Sequence, residues 1–195
     1  ETEAPVPNDI DWTTSGKVSR VKNQGQCGSC WAFSATGVME SVALQAGKNV
    51  DLSEQQLVDC SASYGNHGCN GGWPSSALNY VKAVGIASES EYPYDAQTRS
   101  CSKNGGSFKI SSYASATGCA GITNAINASP VSVTVDATNW SSYKSGVFNN
   151  CAASINHAVL LVGVVGGSWK IKNSWGVGWG EQGFRLTNPE RKNNT

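Results

Sequence analysis

Residues 24–33 read Gln24-Gly25-Gln26-Cys27-Gly28-Ser29-Cys30-Trp31-Ala32-Phe33, and the organisation of the chain follows from this stretch. Apolar residues recur after it with helical spacing, and Gly47 offers a stop, so we predict a buried central helix over residues 29–45. The preceding glycines form a tight turn that places Cys30 near the first helical turn. A thiol there meets unpaired N–H groups and the positive end of the helix dipole, which favour the thiolate.

Two shorter helices are expected downstream. Ser53 followed by Gln56 is a capping-box pattern for the second helix, and residues 75–84 are the candidate for the third.

After about Tyr113 the pattern becomes typical of strands. Residues 131–135 and 169–173 alternate between apolar and polar side chains, and residues 158–165 form a nearly continuous apolar run. Glycine-rich turns separate these segments, with a hairpin over residues 163–167, which favours an antiparallel sheet. We therefore predict an α+β chain with a helical front and a β-rich back.

Composition argues against several classes of partner. The 195 residues carry 14 Lys+Arg and 14 Asp+Glu, so no excess charge favours nucleic acid or an anionic membrane. The longest apolar stretch, residues 158–165, is interrupted by Gly163 and falls well short of the roughly 20 residues that span a bilayer. We expect a globular protein with no transmembrane segment.

The seven cysteines indicate an oxidising compartment and one unpaired thiol, because the number is odd. Residues 1–8 are short, acidic and contain proline, so they do not resemble a signal peptide. We interpret the chain as a processed, mature form.

A reactive thiol needs a base, and the chain has two histidines. His67 lies in a polar, glycine-rich loop and is expected to be exposed and to have no catalytic role. His157 opens the apolar strand over residues 158–165, where it can reach a cleft from a rigid backbone, and is the better candidate.

Three motifs together resemble the papain-like cysteine peptidases, and among them the cathepsin L-like endopeptidases: Gln-Gly-Xaa-Cys-Gly-Ser-Cys-Trp-Ala-Phe around Cys30, Asn-His-Ala at 156–158, and Asn-Ser-Trp-Gly-Xaa-Gly-Trp-Gly at 173–180. Further matches follow in family order from residue 11 to about residue 186. The resemblance implies a papain-like two-domain fold. A helical left domain spans 12–113, an antiparallel β-barrel-like right domain spans 1–11 and 114–195, and the active site lies in the cleft between them.

The resemblance also implies catalytic roles. Cys30 is the expected nucleophile, His157 the base, and Asn173 the residue that orients the imidazole, with Trp175 shielding that hydrogen bond from water. Gln24, together with the backbone N–H of Cys30, would stabilise the oxyanion of the tetrahedral intermediate.

Disulfide pairing is likewise implied by the resemblance: Cys27 with Cys69 and Cys60 with Cys101, which leaves Cys30 free. Cys119 and Cys151 would then pair by parity. The tail departs from the family, since no cysteine follows Asn173.

Substrate binding is expected on both sides of the cleft. Gly71 and Gly72 match the backbone edge that pairs with an extended peptide. The pocket for the residue preceding that at the scissile bond (P2) would favour bulky hydrophobic side chains. The candidate substrate-binding residues are Gly71, Gly72, Trp73, Pro74, Thr134, Ile155, Asn156, Ala158, Trp175 and Trp179. Residues 24–30 and 72–92 leave no room for the inserts of end-trimming relatives, so we expect an endopeptidase.

The remaining expectations concern partners and location. The resemblance implies no metal or organic cofactor, protein and peptide substrates, an inhibitory propeptide or cystatin-like inhibitors, and a monomer. A lysosomal, vacuolar or secreted location fits the cysteines and the sequons at Asn139-Trp140-Ser141 and Asn193-Asn194-Thr195.

Other interpretations remain open from the sequence. A catalytically inactive binding or storage protein would share the fold, and a peptide ligase would share every catalytic residue. Cys27-Gly28-Ser29-Cys30 also matches a redox Cys-Xaa-Xaa-Cys or half a zinc site, but the strand–helix–strand surround and the second ligand pair that these require are lacking.

Overall fold

The computed structural model describes residues 9–150 and 154–188. Within these ranges helices dominate the first half and strands the second, which confirms the α+β class. The elements in chain order are β1 Ile10–Asp11, α1 Cys30–Gln45, α2 Glu54–Cys60, a 3₁₀ helix Ala62–Tyr64, α3 Pro74–Val84, α4 Gly118–Ala128, β2 Val131–Val135, β3 Val147–Phe148, β4 His157–Val165, β5 Ser168–Lys172 and β6 Phe184–Thr187.

Helix α1 is the buried central helix that the sequence predicts. Trp31, Ala32 and Ala35 are fully buried, and the helix packs against α2 and α3 on one side and β4 on the other. Gly37 permits this approach, because a Cβ there would lie 3.2 Å from a methyl carbon of Leu160 on β4. The helix therefore carries its N-terminal Cys30 to the border between the helical and β-rich parts.

Helix α2 begins as predicted, but only half of the capping box forms. The Gln56 backbone N–H donates to Ser53 Oγ at 3.0 Å. The Gln56 side chain does not return to Ser53; it donates to the carbonyls of Lys103 and Gly105, both at 2.7 Å. Gln56 thus connects α2 to the loop that contains Lys103 and Gly105.

The sheet is built around β4. Its order is β1-β4-β5-β6-β3, with β2 also pairing with β4. The β4–β5 hairpin confirms the turn expected over residues 163–167. The prediction of an antiparallel sheet was wrong for one pair, since β3 and β6 run parallel. No hairpin turn links these two strands, so nothing local sets their relative direction.

Helix α4 lies in the part that the sequence pattern assigned to strands. Only Ile122 and Ile126, four residues apart, are buried on it. Two glycines, two asparagines and a threonine weaken its helical signal, so packing of these isoleucines against the sheet accounts for the helix.

Two hydrophobic clusters match the helical front and the β-rich back. The first gathers residues of α1, α2 and α3 around Trp31, and the second gathers residues of α4 and the sheet around Trp140. The division at residues 12–113 and 114–195 stays a prediction. Over the described residues, no helix has the length and apolar character needed to cross a membrane.

Both disulfides implied by the resemblance are present, Cys27–Cys69 and Cys60–Cys101. Gly28 N–H donates to the Cys69 carbonyl at 2.9 Å, and a Cβ on Gly28 would lie 2.4 Å from that oxygen, so only glycine fits beside the first bridge. Cys119 is exposed, and Cys151 lies outside the described residues, so their pairing stays a prediction.

Candidate active site

The imidazole of His157 is held by Asn173, sixteen residues away on the far side of the β4–β5 hairpin. Asn173 Oδ1 lies 2.8 Å from His157 Nε2 and also accepts the backbone N–H of Ser174 at 2.8 Å. Because the Ser174 N–H can only donate, the shared atom must be the amide oxygen, and His157 Nε2 must carry its hydrogen. In the neutral ring Nδ1 is therefore the basic nitrogen.

Cys30 is the first residue of α1, and its thiol is free and partly buried. Burial raises the pKa of this thiol above its ordinary value, although hydrogen bonds from the backbone N–H groups of Ala158, Trp31 and Cys30 itself lower it. The N–H groups at the helix terminus thus favour the thiolate, as the sequence predicts, but burial opposes them and the pKa is raised overall. The bond to Ala158 places the sulfur at the end of β4 where His157 lies.

Burial also lowers the pKa of His157, while the hydrogen bond to Asn173 raises it. A thiolate alone and an imidazolium alone are thus both disfavoured at this site. The two charges formed together attract each other in a buried environment, which offsets the cost of burying each one.

The side chain of Gln24 is fixed from two directions. Its Nε2 donates to the Cys27 carbonyl at 3.0 Å, and its Oε1 accepts the Ser174 hydroxyl at 2.6 Å. The Gln24 backbone N–H donates to the Ser174 carbonyl at 2.8 Å. One hydrogen of the Gln24 amide remains for a further acceptor.

Aromatic rings cover the His157–Asn173 bond. The centroid of Trp175 lies 5.0 Å from that of His157, and Trp140 meets the imidazole edge-on at 5.9 Å. Trp179 stacks on Trp140 at 6.0 Å and donates its Nε1–H to the Trp140 carbonyl at 3.0 Å. His157 and Asn173 are themselves buried, so little of their hydrogen bond is in contact with solvent.

The residues expected to bind substrate differ in exposure. Trp73 and Ile155 are the most accessible, 57% and 52% exposed, whereas Pro74 and Ala158 are buried. Thr134 pairs with Ala158 between β2 and β4. Among the rest, Gly71, Gly72, Trp175 and Trp179 are partly buried and Asn156 is exposed.

His67 lies outside this site. It is exposed, as expected, in the loop before Cys69. Its backbone N–H donates to the Gly71 carbonyl at 2.8 Å, so it contributes to the loop as a backbone group.

A comparison with known families gives the chain's affiliation. The family model described as papain family cysteine protease matches residues 6–195 of the chain. The chain belongs to the papain family of cysteine proteases.

Individual papain-family relatives agree in sequence and in fold. Cathepsin L 2 of Paramecium tetraurelia is 47% identical over 181 residues, which are 90% of this chain and 58% of that protein. The structure of digestive procathepsin L 3 from Tenebrio molitor larval midgut matches with a TM-score of 0.88 and 43% identity, covering 99% of this chain and 68% of the other. The Carica candamarcensis cysteine protease CMS1MS2, solved in complex with E-64, matches with a TM-score of 0.87 and 37% identity over 96% of this chain and 93% of the other. The chain thus spans less than two thirds of the length of the Paramecium relative.

Sequence reasoning missed several residues that hold this papain-family site together. Ser174 lies inside the quoted Asn-Ser-Trp-Gly motif, yet its partner Gln24 is 150 residues away in sequence. Asn66 is buried and holds the segment before α3, since its Oδ1 accepts the Trp73 N–H at 2.8 Å and its Nδ2 donates to Ser61 Oγ at 2.8 Å. The Ser174–Gln24 pair is too far apart in sequence for a local pattern to mark it, and the bonds of Asn66 depend on how its loop folds.

A small cavity, partly open to solvent, has Asn173 and Ser174 in its lining. Its charged groups come from both parts of the papain-family fold. Lys22 Nζ lies 2.9 Å from Glu40 Oε1 and 2.7 Å from Glu54 Oε1. Burial raises the pKa of Glu54 to about 7 and lowers the pKa of Lys172 to about 8.

Proposed function

We propose that this chain is a cysteine endopeptidase that hydrolyses peptide bonds through a thioacyl-enzyme intermediate. One observation carries the proposal: in a papain-family chain, Asn173 Oδ1 accepts both the Ser174 N–H and the His157 Nε2–H, which leaves Nδ1 basic at the end of β4 that holds the free Cys30 thiol. Cys30, His157, Asn173 and Gln24 are the proposed catalytic residues.

The reaction begins with transfer of the Cys30 proton to His157 Nδ1. The sulfur then attacks the carbonyl carbon of the substrate, and the C–N bond breaks as the imidazolium gives its proton to the leaving amine. Water attacks the resulting thioester while His157 Nδ1 takes a proton from it. The C–S bond then breaks, the carboxylic acid product leaves, and the Cys30 thiolate takes the proton back from the imidazolium.

The negative oxygen of each tetrahedral intermediate is assigned to Gln24 and to the backbone N–H of Cys30. Gln24 Nε2 spends one hydrogen on the Cys27 carbonyl and keeps the second for the oxyanion. Because the Gln24 amide is already held by Ser174, little reorganisation is needed when charge develops.

Substrate is proposed to bind as an extended strand along the backbone of Gly71 and Gly72. The exposed faces of Trp73 and Ile155 offer apolar contact area to the P2 side chain, with Pro74, Thr134 and Ala158 completing the pocket. A bulky hydrophobic residue is therefore the proposed preference at P2. Asn156, Trp175 and Trp179 complete the proposed substrate-binding residues.

Protein substrates, an inhibitory propeptide and cystatin-like inhibitors are the proposed partners of a monomeric enzyme. The E-64 complex of the Carica relative supports reaction of the site with a thiol-directed inhibitor. A lysosomal, vacuolar or secreted location is the proposed setting, in keeping with the two disulfides.

The test is digestion of a denatured protein by the purified chain, with the products sequenced by mass spectrometry. We expect internal cleavage at sites with bulky hydrophobic P2 residues, loss of cleavage after labelling with E-64, and the label on Cys30. The matched control is Cys119→Ser, which replaces an exposed cysteine outside the proposed catalytic residues and should retain activity, whereas Cys30→Ser should abolish it.

Three outcomes contradict the proposal in different ways. No cleavage despite labelling of Cys30 would indicate an inactive binding or storage protein. Amide products in the presence of an added amine, with no hydrolysis, would indicate a peptide ligase. Release of single residues or dipeptides alone would replace the endopeptidase assignment with an exopeptidase.

A further inference from the structure

One tyrosine hydroxyl bridges the two ends of the segment that forms the proposed oxyanion site. Tyr94 Oη donates to the Gln24 backbone carbonyl at 2.7 Å and lies 2.6 Å from Ser29 Oγ. Gln24 supplies the oxyanion amide, and Ser29 immediately precedes Cys30, whose N–H is the second donor. The Tyr94 hydroxyl thus contacts the residue that carries the first donor and the residue that precedes the second.

The tyrosine is itself held in place. Its ring meets Phe33 edge-on with centroids 4.9 Å apart, and its backbone N–H donates to Glu89 Oε1 at 2.8 Å. Phe33 lies in the first turn of α1, so the ring is anchored to the helix that carries Cys30. The hydroxyl position is therefore fixed relative to the thiol.

The Gln24 backbone is secured from opposite sides by different parts of the fold. Its N–H donates to the Ser174 carbonyl in the β-rich part, and its carbonyl accepts from Tyr94 in the helical part. Ser29 is fully buried, and the other contact of its hydroxyl, to the Cys27 carbonyl, is long at 3.5 Å, whereas its backbone N–H donates to the same carbonyl at 2.8 Å. Removing the Tyr94 hydroxyl would take the short hydrogen bond from both the Gln24 carbonyl and the Ser29 hydroxyl, so the spacing between these two residues would be less tightly fixed.

We infer that Tyr94 is a positioning residue for the oxyanion site, acting through Gln24 and Ser29 on the spacing of the two oxyanion donors. The inference rests on the proposed function and deepens it. A shift of a few tenths of an ångström weakens a preorganised donor in the transition state more than it weakens binding of the substrate.

The test is Tyr94→Phe, which keeps the ring against Phe33 and removes only the hydroxyl. We expect kcat for a peptide substrate to fall about tenfold with KM within about twofold, when rates are normalised to E-64-titrated sites. The rate of Cys30 alkylation by iodoacetamide should stay within about twofold, because that displacement develops no oxyanion.

Tyr92→Phe is the matched control. The Tyr92 hydroxyl also makes partly buried hydrogen bonds, donating to Asp59 Oδ2 at 2.8 Å and accepting the Ser102 N–H at 3.2 Å. Neither partner touches residues 24–30, so the variant should lose stability without losing kcat.

A double-mutant cycle separates positioning from a merely structural role. In a Gln24→Ala background, Tyr94→Phe should cost clearly less than the roughly tenfold loss in the wild type, because one of the two donors is gone and only the route through Ser29 remains. The inference is overturned if the losses multiply, if iodoacetamide alkylation falls in parallel with kcat, or if Tyr94→Phe retains the wild-type kcat. An inactive wild-type chain would instead refute the proposed function, and the role of Tyr94 with it.

Discussion

A single oxygen atom, Asn173 Oδ1, sets the chemistry of the imidazole. It accepts both the Ser174 backbone N–H and His157 Nε2, and the first of these fixes which atom of the amide faces the ring. The bond to Asn173 raises the pKa of His157, against the lowering by burial. The imidazolium therefore depends on this bond for part of its stability.

Asn173→Ala should narrow the pH range in which the chain hydrolyses a peptide. Without the acceptor the imidazolium is less stable, so it loses its proton at lower pH, and the alkaline limb of the activity profile moves down by about one unit. The measurement is kcat/KM for a peptide substrate as a function of pH, because the imidazolium must protonate the leaving amine. Asn79→Ala, on the exposed face of α3, is the control and should leave the profile in place. An alkaline limb at the same pH or at a higher pH than in the wild type would refute the role of the His157–Asn173 hydrogen bond.

At the scale of elements, β4 organises the β-rich part, because β1, β2 and β5 all pair with it. Its register with β5 shifts between Leu161 and Gly163. Gly163 faces the backbone of β1 so closely that a Cβ would lie 2.2 Å from the Ile10 carbonyl oxygen. The glycine is needed for β1 to join the sheet.

Gly163→Ala should lower the free energy of unfolding by about 1–3 kcal/mol, because β1 must move away from β4. Gly121→Ala supplies a control of opposite sign. This glycine lies inside α4, where a Cβ would make only ordinary contacts at 3.7 Å, so alanine should stabilise by about 0.5–1 kcal/mol. Both values come from denaturant unfolding with the disulfides intact, and equal effects of the two substitutions would disprove the steric argument.

At the scale of the whole molecule, the site forms where the helical and β-rich parts meet. Cys30 comes from α1, and His157 and Asn173 come from the sheet side. A buried ionic cluster lies at the same junction, where Lys22 binds Glu40 and Glu54, both 1% exposed. Although burial opposes it, the carboxylates of Glu54 and Glu40 raise the pKa of Lys22, so the cation persists.

Lys22→Met should destabilise the protein by about 3–5 kcal/mol, because it removes the cation that directly contacts the buried Glu40 and Glu54. Lys103→Met is the matched control: its ion pair with Glu91 has the same 2.7 Å separation as Lys22–Glu54, but both side chains are about half exposed. The control should cost about 0–1 kcal/mol. Thermal and denaturant unfolding measure both variants, and a loss below about 1 kcal/mol for Lys22→Met would contradict the argument.

The features available from the sequence are those with a local cause. Apolar spacing after Cys30 predicted α1, Ser53 before Gln56 predicted the start of α2, and the glycines at 163–167 predicted the β4–β5 hairpin, because each depends on residues within a few turns. Helix α4 was missed because its helical signal is weak and packing against the sheet supports it. The resemblance supplied the disulfide pairs, which spacing could not.

Folding alone settled the features that depend on distance and burial. The pKa of Cys30 is raised because burial disfavours the thiolate more than the N–H groups of the helix terminus favour it. Burial depends on everything that packs around the thiol. The bond from Ser174 to Gln24 and the bridge of Tyr94 over Gln24 and Ser29 join residues 65 to 150 positions apart. Sequence specifies which groups the chain can offer, whereas hydrogen-bond geometry needs ångström-scale positions that arise when the two parts pack against each other.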